Sequence, residues 1–190
     1  MATVDGDVRS AGVTSEKRAM AEGKYRGLLL QDVLDGETYN IHCATVTPVG
    51  AGDYFFQLQN LSNDPIVVRY IELTDATAED VYGIVGDAYT GVAAGAAAFT
   101  AANLYQGSTN IYSTKALVMC DVNLTGQLAT EVERFRVTVA AGTRYHIDMA
   151  RRPVVLGTNQ CLTLGCETGT GAITNLNVIY SHIMAANTDG

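Results

Sequence analysis

Tryptophan is absent from the 190-residue chain, histidine occurs three times, and 12 lysines and arginines are outnumbered by 20 acidic residues. Each shortage removes a class of function. A sugar-binding face usually offers clustered aromatics beside carboxylates, and here the tyrosines, from Tyr25 to Tyr180, are scattered along the chain. With His42, His146 and His182 alone, a metal centre inside a barrel lacks its usual set of imidazoles. A formal net charge of -8 and a pI near 4.7 are the reverse of the basic footprint that displaces counterions from phosphates, so nucleic acid is not an expected partner. No run reaches the roughly 20 apolar residues of a membrane span, and the opening MATVDGDVRS has no apolar core, so neither a membrane partner nor a secretory signal is expected. Synthesis in a cytosol follows as the expectation.

Catalytic and metal-binding motifs are equally scarce. Cys43, Cys120, Cys161 and Cys166 show no CxxC spacing, and in a cytosol they are expected to stay reduced, as small apolar core residues. Cys161 and Cys166 are an odd number of positions apart, which puts them on opposite faces of one strand, and neighbouring His42 and Cys43 fail to converge for the same reason. His146 and Asp148 stand two apart in RYHIDM and invite a general-base reading. Side chains at i and i+2 of a strand point in parallel rather than toward each other, and no G-x-S-x-G places a nucleophile. No catalytic, cofactor-binding or metal-ligating residue is nominated, and the chain is not expected to be an enzyme or to need a cofactor.

What is present is strand and turn. Glycine (19 residues), threonine and alanine are plentiful, and charged residues make up only 17%, a composition suited to short strands. Residues 1–24 read as an extended or flexible arm, and residues 25–190 as one β domain. LLLQDVL, the turn Asp35-Gly36 and ETYNIHCATV predict a hairpin, with Tyr39, Ile41 and Cys43 on one face and Thr38, Asn40 and His42 on the other. DYFFQLQN predicts a strand with Tyr54, Phe56 and Leu58 on one side. IVVRYIEL predicts another, followed by a helical turn over Thr74–Asp80 and an extended VYGIVG.

Residues 86–110, rich in glycine, alanine and threonine, predict a long loop with at most a short helix and are the candidate segment for contacts between subunits. In KALVMCDVNL, Ala116, Val118, Cys120, Val122 and Leu124 share a face. In VERFRVTV, Phe135, Val137 and Val139 oppose Arg134 and Arg136, and in RYHIDM, Tyr145, Ile147 and Met149 oppose Arg144, His146 and Asp148. Acidic residues concentrate at Glu72, Asp75, Glu79, Asp80 and Asp87 and basic ones at Arg134, Arg136, Arg144, Arg151 and Arg152, which suits either two solvated faces or contacts between subunits.

The stretch from Pro153 to Ile183 predicts two antiparallel strands able to fill the middle of a β-sandwich. Leu162, Leu164 and Cys166 share one face of the first, and Leu176, Val178, Tyr180 and then His182 one face of the second. The odd positions Ile173, Asn175, Asn177, Ile179 and Ser181 form a mixed face that is expected to meet a neighbouring subunit. Short strands at regular spacing, without βαβ alternation, predict an all-β, antiparallel two-sheet jelly-roll sandwich.

DYFFQLQNLSNDPIVVRYIEL, AANLYQGSTN and VERFRVTVAAGTRYHIDMARRPVVLGTNQCLTLGCETGTGAITNLNVIYSHI together resemble jelly-roll virion structural proteins of tailed bacteriophages, most closely capsid decoration (cement) proteins, over about residues 35–184. The resemblance lies in the order of β-rich runs, small-residue loops and a closing apolar strand. It implies a homotrimer on the capsid exterior that binds the major capsid protein and clamps its neighbouring subunits, with no catalytic residues. A structural or receptor-binding component of the tail, baseplate or fibre is the alternative within the same class, and a carbohydrate-binding or hydrolytic jelly-roll domain the alternative from another.

Overall fold

The computed structural model describes residues 37–48, 50–51, 53–87, 97–99, 101–104, 114–120, 132–147, 149, 153–169 and 171–183. The expected arm, the first strand of the first hairpin and its Asp35-Gly36 turn lie outside them, as do Val122, Leu124, Asp148, Arg151 and Arg152. The described residues form twelve strands and no helix: β1 (Thr38–Cys43), β2 (Tyr54–Asn60), β3 (Ile66–Asp75), β4 (Glu79–Asp87), β5 (Ala97–Phe99), β6 (Ala102–Asn103), β7 (Ala116–Cys120), β8 (Val132–Val139), β9 (Arg144–Ile147), β10 (Val154–Leu156), β11 (Gln160–Cys166) and β12 (Ile173–His182).

All pairings are antiparallel and fall into two sheets. Sheet A has the order β10-β3-β12-β1-β6, with β9 also on β3, and sheet B the order β5-β7-β2-β11-β4-β8. The first four strands alternate between the sheets. Each early strand pairs with a late one in nested order: β1 with β12, β2 with β11, β3 with β9 and β10, β4 with β8.

The two strands predicted in Pro153–Ile183 are β11 and β12, and each is the middle strand of a different sheet rather than the partner of the other. Their inward residues Leu162, Leu164, Cys166, Leu176, Val178 and Tyr180 are buried in one core with Ile41, Phe56, Leu58, Ile71 and Leu73. Full burial stabilises by roughly 1.5–3 kcal/mol for a leucine or isoleucine side chain, so these central strands anchor the sandwich. The alternation read for β1, β8 and β9 is present, with His42, Arg134, Arg136 and His146 exposed opposite buried partners, whereas in β7 Val118 and Cys120 enter the main core and Met119 on the other face is buried in a second cluster.

Irregularities overturn two expectations of facing. In the β2–β11 ladder, Leu164 opposes Phe56 while Gly165 opposes Tyr54, so Phe55 is an extra, bulged residue. Phe55 and Phe56 both enter the main core, whereas Tyr54 belongs to a second cluster with Tyr82, Ile84, Met119 and Cys161, away from Phe56 and Leu58. A register shift between Ile173 and Asn175 likewise turns Ile173 into the core, where it is fully buried. Ser181 keeps the side of Ile179, as its register on β1 requires, but is buried there, with its hydroxyl 2.9 Å from that of Thr38.

Two local predictions also fail. Over Thr74–Asp80 there is no helical turn: β3 runs through Asp75 and β4 begins at Glu79. Asp75 Oδ1 accepts a hydrogen bond from Thr77 N at 3.0 Å, an Asx turn that satisfies the backbone within two residues. The described part of residues 86–110 is extended. Ala97–Phe99 pairs with β7 and Ala102–Asn103 with β1, so edge pairing overrides the helix propensity of alanine.

Candidate interaction face and a buried acidic cluster

The outer face of sheet A gathers polar and aromatic groups from four strands. Antiparallel register aligns Ile179 with Tyr70 and Asn40, and Asn177 with Glu72 and His42, while Glu72 also faces His146 on β9. Tyr70 stacks on His146 with ring centroids 4.6 Å apart, and its hydroxyl donates to Glu72. That donated hydrogen bond, followed by burial and the Glu72 charge, raises the Tyr70 pKa above its ordinary value. Arg144 Nε approaches Glu72 at 3.4 Å. His42 Nε2 donates to Asn175 Oδ1 at 3.0 Å, and Asn177 Nδ2 reaches the same oxygen at 3.5 Å. Cross-strand pairs of this kind hold side chains in fixed positions on a rigid sheet, which suits recognition of another surface.

Ile179 is the half-buried apolar residue in this polar field. Of the two isoleucines expected on the face, it alone is there. His146 belongs to the same network as a stacked, exposed ring, while the Asp148 expected beside it lies outside the described residues. Of the segregated charges of the sequence, Arg144 pairs with Glu72, whereas Arg136 on β8 contacts acids outside the acidic group, Glu133 at 2.9 Å and Glu167 at 2.6 Å, and lies 5.0 Å over the Tyr82 ring.

A second constellation was not legible in the sequence. At the end of the sandwich where β3 stops, carboxylate oxygens of Asp75 and Glu79 and the Sγ of Cys166 all lie within 4.8 Å of one another. These residues come from the end of β3, the start of β4 and the end of β11. All three are buried, and Asp53, also buried, accepts a hydrogen bond from Gly50 N at 2.7 Å close by. Glu79 accepts from Thr168 twice, from N at 2.7 Å and Oγ1 at 2.6 Å. Burial, then the charge of Glu79, raises the Asp75 pKa against the pull of its Thr77 and Ala76 hydrogen bonds. Burial also pushes the Cys166 thiol up to about 12, with Glu79, Asp75 and Asp53 adding to the shift.

Cys161 and Cys166 lie on opposite sides of β11, as their spacing requires, and the four cysteines are buried without disulfides. Opposite faces exclude a shared ion for that pair, but Cys166 meets acids from two other strands, and strand parity carries no signal for that. Comparison of the chain with protein-family models, curated proteins and solved structures finds no match.

Proposed function

We propose that the chain is a jelly-roll structural protein of a phage virion, a decoration protein that binds the outside of the capsid shell as a homotrimer and clamps neighbouring major capsid subunits. The observation that carries the reading is the nested strand order. With β1-β12-β3-β9/β10 in one sheet and β2-β11-β4-β8 in the other, nine strands, of which β9 and β10 share the place beside β3, follow the course of one long antiparallel hairpin rolled into two layers, which supports a jelly roll. The ordered face of sheet A supplies a surface for a subunit contact, and three copies around one axis would add many modest contacts into tight attachment.

Gold-labelled antibodies against the full chain, applied to intact particles, test the placement: label over the head is expected, and label on the tail or its absence overturns it. The trimer is tested at Ile179. Ile179→Asp is expected to lower trimer content in sedimentation while leaving the circular dichroism spectrum unchanged, and a trimer indifferent to the change removes this face from the contact.

A second reading, a carbohydrate-binding domain, draws on one feature: the Tyr70 ring held beside Glu72 and Asn177. Glycan-array binding that disappears in Tyr70→Ala would favour it over a shell contact.

A further inference from the structure

Among the described residues no lysine, arginine or histidine pairs with Asp53, Asp75 or Glu79. Buried carboxylates are ordinarily paired with a cation, hydrogen-bonded or coordinated to a metal. Asp53 and Glu79 have donors from Gly50 and Thr168. Asp75 differs: it is fully buried, its Oδ1 is held by Thr77 N, and its Oδ2 has no hydrogen-bond partner. A fully buried carboxylate oxygen without a donor, grouped with a second carboxylate and a thiol, is what a cation would satisfy.

We propose that Asp75, Glu79 and Cys166 bind a divalent cation of intermediate softness, with zinc the best match. Calcium and magnesium favour shells made of oxygen, whereas one sulfur with two carboxylates suits zinc or cobalt. Bonds of about 2.0–2.3 Å place the ligands of a tetrahedral ion about 3.5 Å apart, so the present spread of up to 4.8 Å closes by about 1 Å on binding. The Cys166 proton leaves to solvent as the thiolate coordinates. A pocket of about 240 Å³, bordered by Ala78, Glu79, Asp80, Thr138, Glu167 and Thr168, opens the Glu79 side of the cluster to solvent. Because Asp75 ends a strand of sheet A while Glu79 and Cys166 belong to sheet B, the ion would staple the two sheets at this end. The proposal does not depend on the virion role.

The test uses the full chain, stripped with a chelator and titrated with zinc by calorimetry and thermal denaturation, with magnesium as control. One zinc per chain and a rise in melting temperature with zinc but not magnesium are expected. Cobalt is expected to give a thiolate charge-transfer band. Asp75→Asn, which keeps the side-chain shape, and Cys166→Ala should lose the saturable binding, whereas Cys161→Ala, on the other side of β11, should retain it. Absence of saturable zinc binding, absence of the cobalt band in the intact chain, or equal zinc binding by Asp75→Asn overturns the proposal. Should Cys166→Ala fail to fold, the cobalt band of the intact chain and the Asp75→Asn titration decide it.

Discussion

Where β3 begins, Lys115 reaches Asp64 at 3.1 Å and Glu37 at 3.5 Å, and His182 stands edge-on to Tyr39 and Tyr180 with centroids 5.9 and 5.7 Å away. Where β3 ends, roughly 30 Å along the strand at about 3.3 Å per residue, Asp53, Asp75 and Glu79 are buried around Cys166 with no cation among the described residues. β3 connects the two ends, which otherwise draw their charged groups from different strands. At the first, a lysine balances the acids and burial holds the histidine neutral, its pKa pushed down to about 4 with the Lys115 charge adding to the effect. At the second, tight turns and backbone donors do part of that work, and one oxygen of Asp75 is left over. Charge balance is therefore a property of each end rather than of the fold.

The largest expected effect breaks the acidic end. Gly169 has φ of +61°, and a Cβ there would lie 2.0 Å from the backbone oxygen of Gly50. Gly169→Ala should thus cost about 3–4 kcal/mol through backbone strain and overpacking, read as a lower urea midpoint at unchanged slope. A midpoint within experimental error of the wild type would mean that the turn carries no such constraint.

The next prediction tests the histidine end by pH. His182 has a folded pKa below its unfolded value, so its contribution is complete above about pH 6.5 and is lost as pH falls toward about 4. Over that window stability should fall by about 2–3 kcal/mol from this group, and His182→Gln should remove that part of the slope. An unaltered pH profile in the variant would assign the acid sensitivity elsewhere.

The smallest effect probes the lysine. Lys115→Met leaves Glu37 and Asp64 without their cation. Because the Lys115 side chain is about one-third exposed, the loss should be only about 1 kcal/mol and should shrink in high salt. Urea titrations at low and high ionic strength measure it. A much larger, salt-independent loss would make this end as rigidly determined as the Gly169 turn.

The strands were legible because alternation survives wherever the ladder is regular: Ile41, Val118, Phe135, Leu162 and Val178 all face inward as their spacing predicts. It misled at Tyr54 and Ile173, where one extra residue or a register shift reverses the side that the rest of the strand indicates. The helical turn expected after Thr74 failed because a single side chain, Asp75, closes the reversal itself. On the outer face of sheet A, His42, Tyr70, Glu72, His146, Asn175 and Asn177 are each readable as outward, but that they form one network depends on four strands being neighbours.

By itself the sequence determined an all-β, antiparallel chain with an apolar core and a strongly acidic balance, because side-chain period, turn chemistry and charge are local properties. Only the tertiary structure decided that β11 and β12 fill the middles of opposite sheets, that Ile179 and not Ile173 is available to a partner, and that Asp75, Glu79 and Cys166 converge. Those facts depend on pairings between residues up to 143 positions apart, and nothing in a strand's own period specifies which distant strand lies beside it.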